Sequence, residues 1–295
     1  MTSSRPFPTF AFAALLLGGA AIGFAGIFMR LADVNPLASA FWRMALAAPI
    51  LWMWAYAVHK QDFANGKRIG FAPALMLAGL YFAGDMATWH LSLHYTTVSN
   101  ATLLPNLAPL FIAFWLWWVH KIRFGRIFLI GVILALAGAV LVVEPNTAQA
   151  DPGKHKLWGD ALGFVTAFFY AGYQLVIKDA RARYSTARLM AWSTTITALA
   201  LLPFALASPG LFWPEHAIGW LPLLALALIA QIGGQTVIAY ASAHLATSLS
   251  SVGLLIQPLT ATIAAWLLFH EALMPLQMAG AIVLMSGIYL SKRGS

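Results

Sequence analysis

The chain has 295 residues, of which 61% are hydrophobic and 9% charged, against about 25% charged in a soluble domain; a water-facing surface that poor in charge would aggregate. The net charge is +8, but the basic residues sit in short gaps between apolar runs, which excludes nucleic-acid binding and reads as membrane topology. Cysteine is absent, which excludes disulfides, thiolate chemistry and cysteine metal sites.

About 20 apolar residues cross a bilayer. Ten such runs follow in order: 9–29, 37–58, 71–93, 98–119, 127–144, 158–178, 188–207, 217–241, 247–269 and 275–291. The first apolar run, Phe7 to Met29, is too long for a signal-peptide core of roughly 7–15 residues and reads as a retained span. In the second, Arg43 either offers its guanidinium fork to a substrate carboxylate or serves structure, as an ion-pair or snorkelling residue.

The third span carries Tyr81, Asp85 and Trp89, spaced i, i+4, i+8, so they share one helix face. Asp85 is the acidic residue deep in a span. A charge there is costly and faces protein or water rather than lipid: it lines a cavity, or it serves structure by pairing with Arg43 or hydrogen-bonding a neighbouring helix. His90 and His94 are four apart, but no His-Glu-x-x-His motif accompanies them, so no metal site is expected. The fourth span offers Asn100, Thr102 and Asn106 beside Pro105 and Pro109; two prolines four apart free backbone carbonyls and kink the helix. Trp115, Trp117 and Trp118 fit an interfacial belt. In the fifth span, Gly131 and Gly138 are two helical turns apart and suit a close helix contact.

A hydrophilic stretch from Pro145 to Leu157 divides the chain. The sixth span then offers Tyr170, Tyr173 and Gln174. The eighth has Gln231 and Gln235 on one face, beside Gly233 and Gly234, which permit close approach or a bend. The ninth has Gln257 before Pro258, and the tenth Gly280 and Gly287.

The two halves correspond at an offset of 149 residues: Gly84 falls on Gly233, Ser99 on Ser248, Pro109 on Pro258, Leu110 on Leu259, Trp117 on Trp266, Gly131 on Gly280 and Gly138 on Gly287. The expected organisation is a first five-helix repeat over 1–146, a periplasmic linker over 147–157 and a second repeat over 158–295. Five spans per half is an odd number, so the halves enter the membrane from opposite sides, as inverted repeats with a site near the midplane. Proline-interrupted spans in matching halves point to that site. With the N-terminus inside, 13 basic residues fall in inner segments and 3 in outer ones, which places both termini in the cytoplasm.

Phe269-His270-Glu271-Ala272, followed by Pro275, Gly280 and Gly287, resembles the closing motif of the EamA family in the drug/metabolite transporter superfamily. Arg43 after Phe41-Trp42 resembles that family's arginine early in the second helix. In the first half Lys121-Ile122 stands where the motif's glutamate would sit, a departure from the pattern. The resemblance implies ten helices, cytoplasmic termini and a central cavity between the halves. Within the family the chain is similar to amino acid exporters, the aromatic amino acid branch among them.

The expectation is an inner-membrane secondary transporter exporting small amphipathic metabolites by alternating access, monomeric or weakly dimeric, with no cofactor. Its expected substrate contacts are Tyr81, Asp85, Trp89, Asn106, Tyr170, Tyr173, Gln174, Gln231, Gln235 and Gln257. The alternatives are a drug or other metabolite permease of the same fold, a channel, or an integral membrane enzyme. A channel wants rings of like polar residues and an enzyme clustered His, Asp or Glu; the scattered polar residues supply neither.

Overall fold

A computed structural model describes residues 8–68, 70–96, 101, 103–143, 156–269 and 274–295, without the side chains of His94, Lys156 and Phe269. Asn100, Thr102, Ser99, His270 to Ala272 and most of the linker lie outside the described residues. The described residues form ten helical crossings and no strand.

Seven of the crossings are long and apolar enough to span a membrane: Thr9–Leu31, Pro36–Ala57, Arg126–Val143, Leu157–Arg183, Thr186–Ala207, Ala217–Ser242 and Thr247–Leu268. Leu104–Trp118 is a shorter apolar helix. Pro73–Tyr95 and Pro275–Gly294, at 23 and 20 residues, are long enough, but carry Asp85 and His90 in one case and Gln277, Lys292 and Arg293 in the other. They are counted as the third and tenth spans because each packs along a full spanning partner, the sixth and fifth respectively.

The second and seventh spans illustrate how the halves repeat. Both are 22 residues long, Pro36–Ala57 and Thr186–Ala207, and both start on a side-chain cap. Asn35 accepts a hydrogen bond from the Ala38 amide at 2.8 Å, and Ser185 accepts one from the Arg188 amide at 3.4 Å, satisfying a donor that the helix start leaves open. Each cap also reaches across to the opposite half. Asn35 donates to the carbonyls of Ala205 and Leu211 at 3.3 and 3.2 Å, and Ser185 donates to the Asp62 carboxylate at 2.6 Å.

Four spans are interrupted. The first breaks at Phe24, between Thr9–Gly23 and Ala25–Leu31. The fourth opens on a 3₁₀ turn, Leu104–Leu107, before the α-helix Ala108–Trp118; Pro105 and Pro109 withhold two amides from it, as the sequence predicts. The ninth breaks between Thr247–Gly253 and Ile256–Phe269, just before Pro258. The eighth winds as a π-helix over Leu226–Gln235, around the Gly233-Gly234 pair, a form that recurs at functional sites.

The fifth and tenth spans show how the halves are related. A Cβ built on Gly131 meets Ser291, one on Gly138 meets Leu284, one on Gly280 meets Val142, and one on Gly287 meets Ala135. In every pair the two residue numbers add to 422, so the helices run antiparallel. Shifting the Gly131–Ser291 pair by the 149-residue offset of the sequence yields Gly280–Val142, another observed pair. Symmetry-related helices that run antiparallel require a two-fold axis perpendicular to them, hence in the membrane plane. Other inter-half contacts follow the same operator: third with sixth and eighth with first, third with seventh and eighth with second. Between these spans lie two main clusters of buried side chains, one around Met44, Phe82, Tyr173 and Met190, the other around Leu15, Phe128, Leu249 and Leu284. Trp115, Trp117 and Trp118 are 44–58% exposed, facing outward as an interfacial belt does.

Candidate functional site

Polar side chains that the sequence scatters along seven spans gather at the middle of this bundle. Arg43 on the second span is 3% exposed and Asp85 on the third 5%. Arg43 Nε donates to Gln231 Oε1 on the eighth span at 3.2 Å, and Gln231 Nε2 donates to Thr194 Oγ1 on the seventh at 3.0 Å. The guanidinium lies 5.8 Å from the centre of the Phe82 ring, a cation–π contact, and Phe82 stacks on Tyr173 at 4.5 Å. Arg43, Asp85, Tyr170 and Tyr173 are all within electrostatic reach of one another.

Next to this group lies a small cavity of about 10 Å³. Pro105, Asn106 and Pro109 of the broken fourth span line one side, Tyr170 and Gln174 of the sixth another, and Ser251 and Gln257 of the broken ninth a third. Gln257 Nε2 donates to the Tyr170 hydroxyl at 3.2 Å. The amide nitrogen of Gln174 is buried without a hydrogen-bond partner, and the buried Tyr173 hydroxyl and Gln235 amide lie against each other. A cavity of this size holds about one water.

Both ends of the bundle are shut, by different chemistry. At one end Phe41, Trp42, Phe212, Trp213 and Trp220 form an aromatic plug, with ring centres 4.7–6.2 Å apart, and Trp42 Nε1 donates to the Phe212 carbonyl at 2.8 Å. At the other end the closure is ionic. Arg188 stands 3.8 Å from Asp62 and contacts His59, and Lys67 Nζ donates to the Ala182 carbonyl at 3.1 Å.

Residues 9–144 and 157–293 each match the model of the EamA-like transporter family. The chain belongs to that family. It is 29% identical over 271 residues to a protein of Archaeoglobus fulgidus named as an uncharacterized transporter, covering 90% of this chain and 91% of that one. It is 29% identical over 119 residues, 40% of this chain and 38% of the relative, to YicL of Salmonella typhimurium, named as an uncharacterized inner membrane transporter. A solved crystal structure superposes with a TM-score of 0.76 over 96% of each chain at 16% identity, a likeness of fold alone. EamA membership makes this a multi-pass membrane transporter rather than an enzyme, and a transporter implies a small-molecule substrate.

Set against this EamA framework, the expected substrate contacts separate into groups. Asn106, Tyr170, Gln174 and Gln257 meet around the cavity. Asp85, Tyr173, Gln231 and Gln235 lie in the buried layer beside it. Tyr81 sits elsewhere, its ring over Gly172 and 6.4 and 6.2 Å from Phe168 and Phe169, where it seals the third span to the sixth. Trp89 Nε1 donates to the Ala101 carbonyl at 3.0 Å, tying the third span to the start of the fourth. Sequence reasoning missed Ser251 and the Arg43–Gln231 bond. No local pattern signals a contact between residues 188 apart.

Proposed function

We propose that this protein is an inner-membrane secondary transporter that exports small amphipathic metabolites by alternating access, with amino acids, aromatic ones included, as its substrates. Tyr81, Asp85, Trp89, Asn106, Tyr170, Tyr173, Gln174, Gln231, Gln235 and Gln257 form or support its substrate path. The observation that carries the reading is the convergence of Asn106, Tyr170, Gln174 and Gln257 on one small cavity, where the broken fourth and ninth spans of opposite halves meet. Polar groups left unpaired in a bilayer interior are costly, and a polar substrate would satisfy them. The stacked Phe82 and Tyr173 rings supply apolar surface for a side chain. Aromatic and ionic closures at opposite ends supply the two gates that alternating access needs. The excess of basic residues on one set of loops supports cytoplasmic termini.

Reconstituted protein in liposomes, offered a panel of labelled amino acids, is expected to give saturable transport of several of them, aromatic ones included. Transport of other labelled metabolites with none of any amino acid would leave a permease of the same fold and a different substrate.

A further inference from the structure

An arginine and an aspartate sit buried in the middle of the bundle without closing on each other. Arg43 and Asp85 are both nine-tenths buried or more, yet among the described residues no carboxylate lies within 4.0 Å of the guanidinium and no donor reaches the Asp85 carboxylate. The guanidinium has five N–H donors. Its Nε is used on Gln231, and its Nη1 has only the Met86 sulfur at 3.9 Å, a weak acceptor. Neither charge is remote from the other. Arg43 rests against Phe82 and Met86, and Asp85 belongs to the same turn of the third span.

A simple structural role would bring the two side chains together, since desolvated charges are expensive unless paired. Here Arg43 is instead held away by a relay: Thr194 fixes Gln231, and Gln231 fixes Nε. That leaves the terminal fork, the part of an arginine that matches a carboxylate in two parallel bonds, without a charged partner. The arrangement is also confined to one half. Arg43 corresponds to Trp192 under the 149-residue offset. Asp85 corresponds to Gly234 under the 149-residue offset.

We infer that Arg43 and Asp85 form a two-point site for a zwitterion, the guanidinium fork taking the substrate's carboxylate and the Asp85 carboxylate its ammonium. This rests on the amino-acid reading above and sharpens it. The recognised feature is an α-amino acid head with both charges present, while the side chain lies toward Phe82 and Tyr173. An amine or an acid alone leaves one buried charge unpaired, so the site rejects both.

Three ligands with the same ring test this on the full-length protein in nanodiscs by calorimetry: L-phenylalanine, 2-phenylethylamine without the carboxylate, and 3-phenylpropanoate without the amine. Wild type is expected to bind L-phenylalanine at least tenfold more tightly than either analogue. Arg43→Gln is expected to weaken L-phenylalanine and 3-phenylpropanoate by roughly tenfold to a hundredfold and to leave 2-phenylethylamine within about twofold. Asp85→Asn is expected to do the reverse, weakening the two amines and sparing the acid. A misfolded variant would lose all three ligands together, so the ligand-selective pattern separates recognition from structure, and Arg43→Lys, which keeps the charge but not the fork, should fall between. If wild type binds L-phenylalanine but variants that elute as a single folded species weaken all three ligands alike, or none, the two-point site is overturned and the amino-acid reading stands. If wild type binds none of the three and transports no amino acid, that reading itself fails, and this one with it.

Discussion

Gln174 shows how one side chain can be costly to the fold and useful to transport. It is 5% exposed, it lines the central cavity, and its amide nitrogen has no hydrogen-bond partner. A buried donor left unpaired costs about 1–3 kcal/mol, so a leucine of similar volume should remove a penalty. Gln174→Leu is expected to stabilise the protein by about 1 kcal/mol in thermal unfolding while lowering amino-acid transport about tenfold. A variant neither stabilised nor impaired would remove Gln174 from the substrate path. Asp62 makes the opposite case. It is 5% exposed, accepts from Ser185 at 2.6 Å and stands 3.8 Å from the buried Arg188. Asp62→Asn leaves the Arg188 charge without its counterion and is expected to destabilise by about 3 kcal/mol, read as a lowered unfolding temperature in detergent.

The spans themselves depend on small residues at chosen points. A Cβ on Gly287 would meet the Ala135 amide nitrogen and, at 2.7 Å, its Cα; these are backbone atoms that cannot rotate away. Gly287→Ala is therefore expected to push the fifth and tenth spans apart at a cost of about 1–3 kcal/mol. At Gly26 an added Cβ meets nothing within 4 Å, so Gly26→Ala should be neutral or stabilising by up to about 1 kcal/mol. If both substitutions behave alike, close approach is not what fixes the glycine at 287. The sequence shows both the glycine pairs and the broken fourth and ninth spans, because each has a local chemical cause: a missing side chain or a missing amide. It does not show the break at Phe24, which the flanking Gly23 and Gly26 permit without requiring, nor the π-helix, which Gly233-Gly234 only permits. The site is half legible for the same reason. Four side chains placed by the two broken spans and the sixth, Asn106, Tyr170, Gln174 and Gln257, fall together in the cavity. Tyr81 shares a helical face with Asp85 in the sequence, but its ring turns to Gly172 and the phenylalanines of the sixth span, because packing between helices decides where a large ring goes.

For the molecule as a whole, the antiparallel register makes a prediction that helix counting cannot. The chain has no cysteine, so introduced pairs report cleanly. Leu141→Cys with Gly280→Cys is expected to form an oxidative cross-link in membranes: an added Cβ at Gly280 lies 2.7 Å from the Leu141 Cβ, so the helices need give by only about 1 Å to reach the usual disulfide Cβ–Cβ separation of about 3.8 Å. Leu141→Cys with Leu290→Cys, matched by the 149-residue offset as parallel helices would be, is expected not to. The reverse result would place the two-fold axis along the membrane normal and end the inverted-repeat description.

A contact in which each residue meets a partner whose number completes 422 is isologous: both surfaces offer the same patch to each other. The fifth span does not need the rest of this chain to bury its glycine face; it needs a second copy turned end over end, which the tenth span supplies. Joining the two halves therefore adds effective concentration and a fixed opposite insertion rather than new contact chemistry. A chain cut between residues 147 and 157 should accordingly assemble from two fragments made in the same cell, with the tagged first half retaining the second through membrane extraction. Gly287→Ala in the second fragment, tolerable in the intact chain where the tether holds the halves together, is expected to abolish that retention.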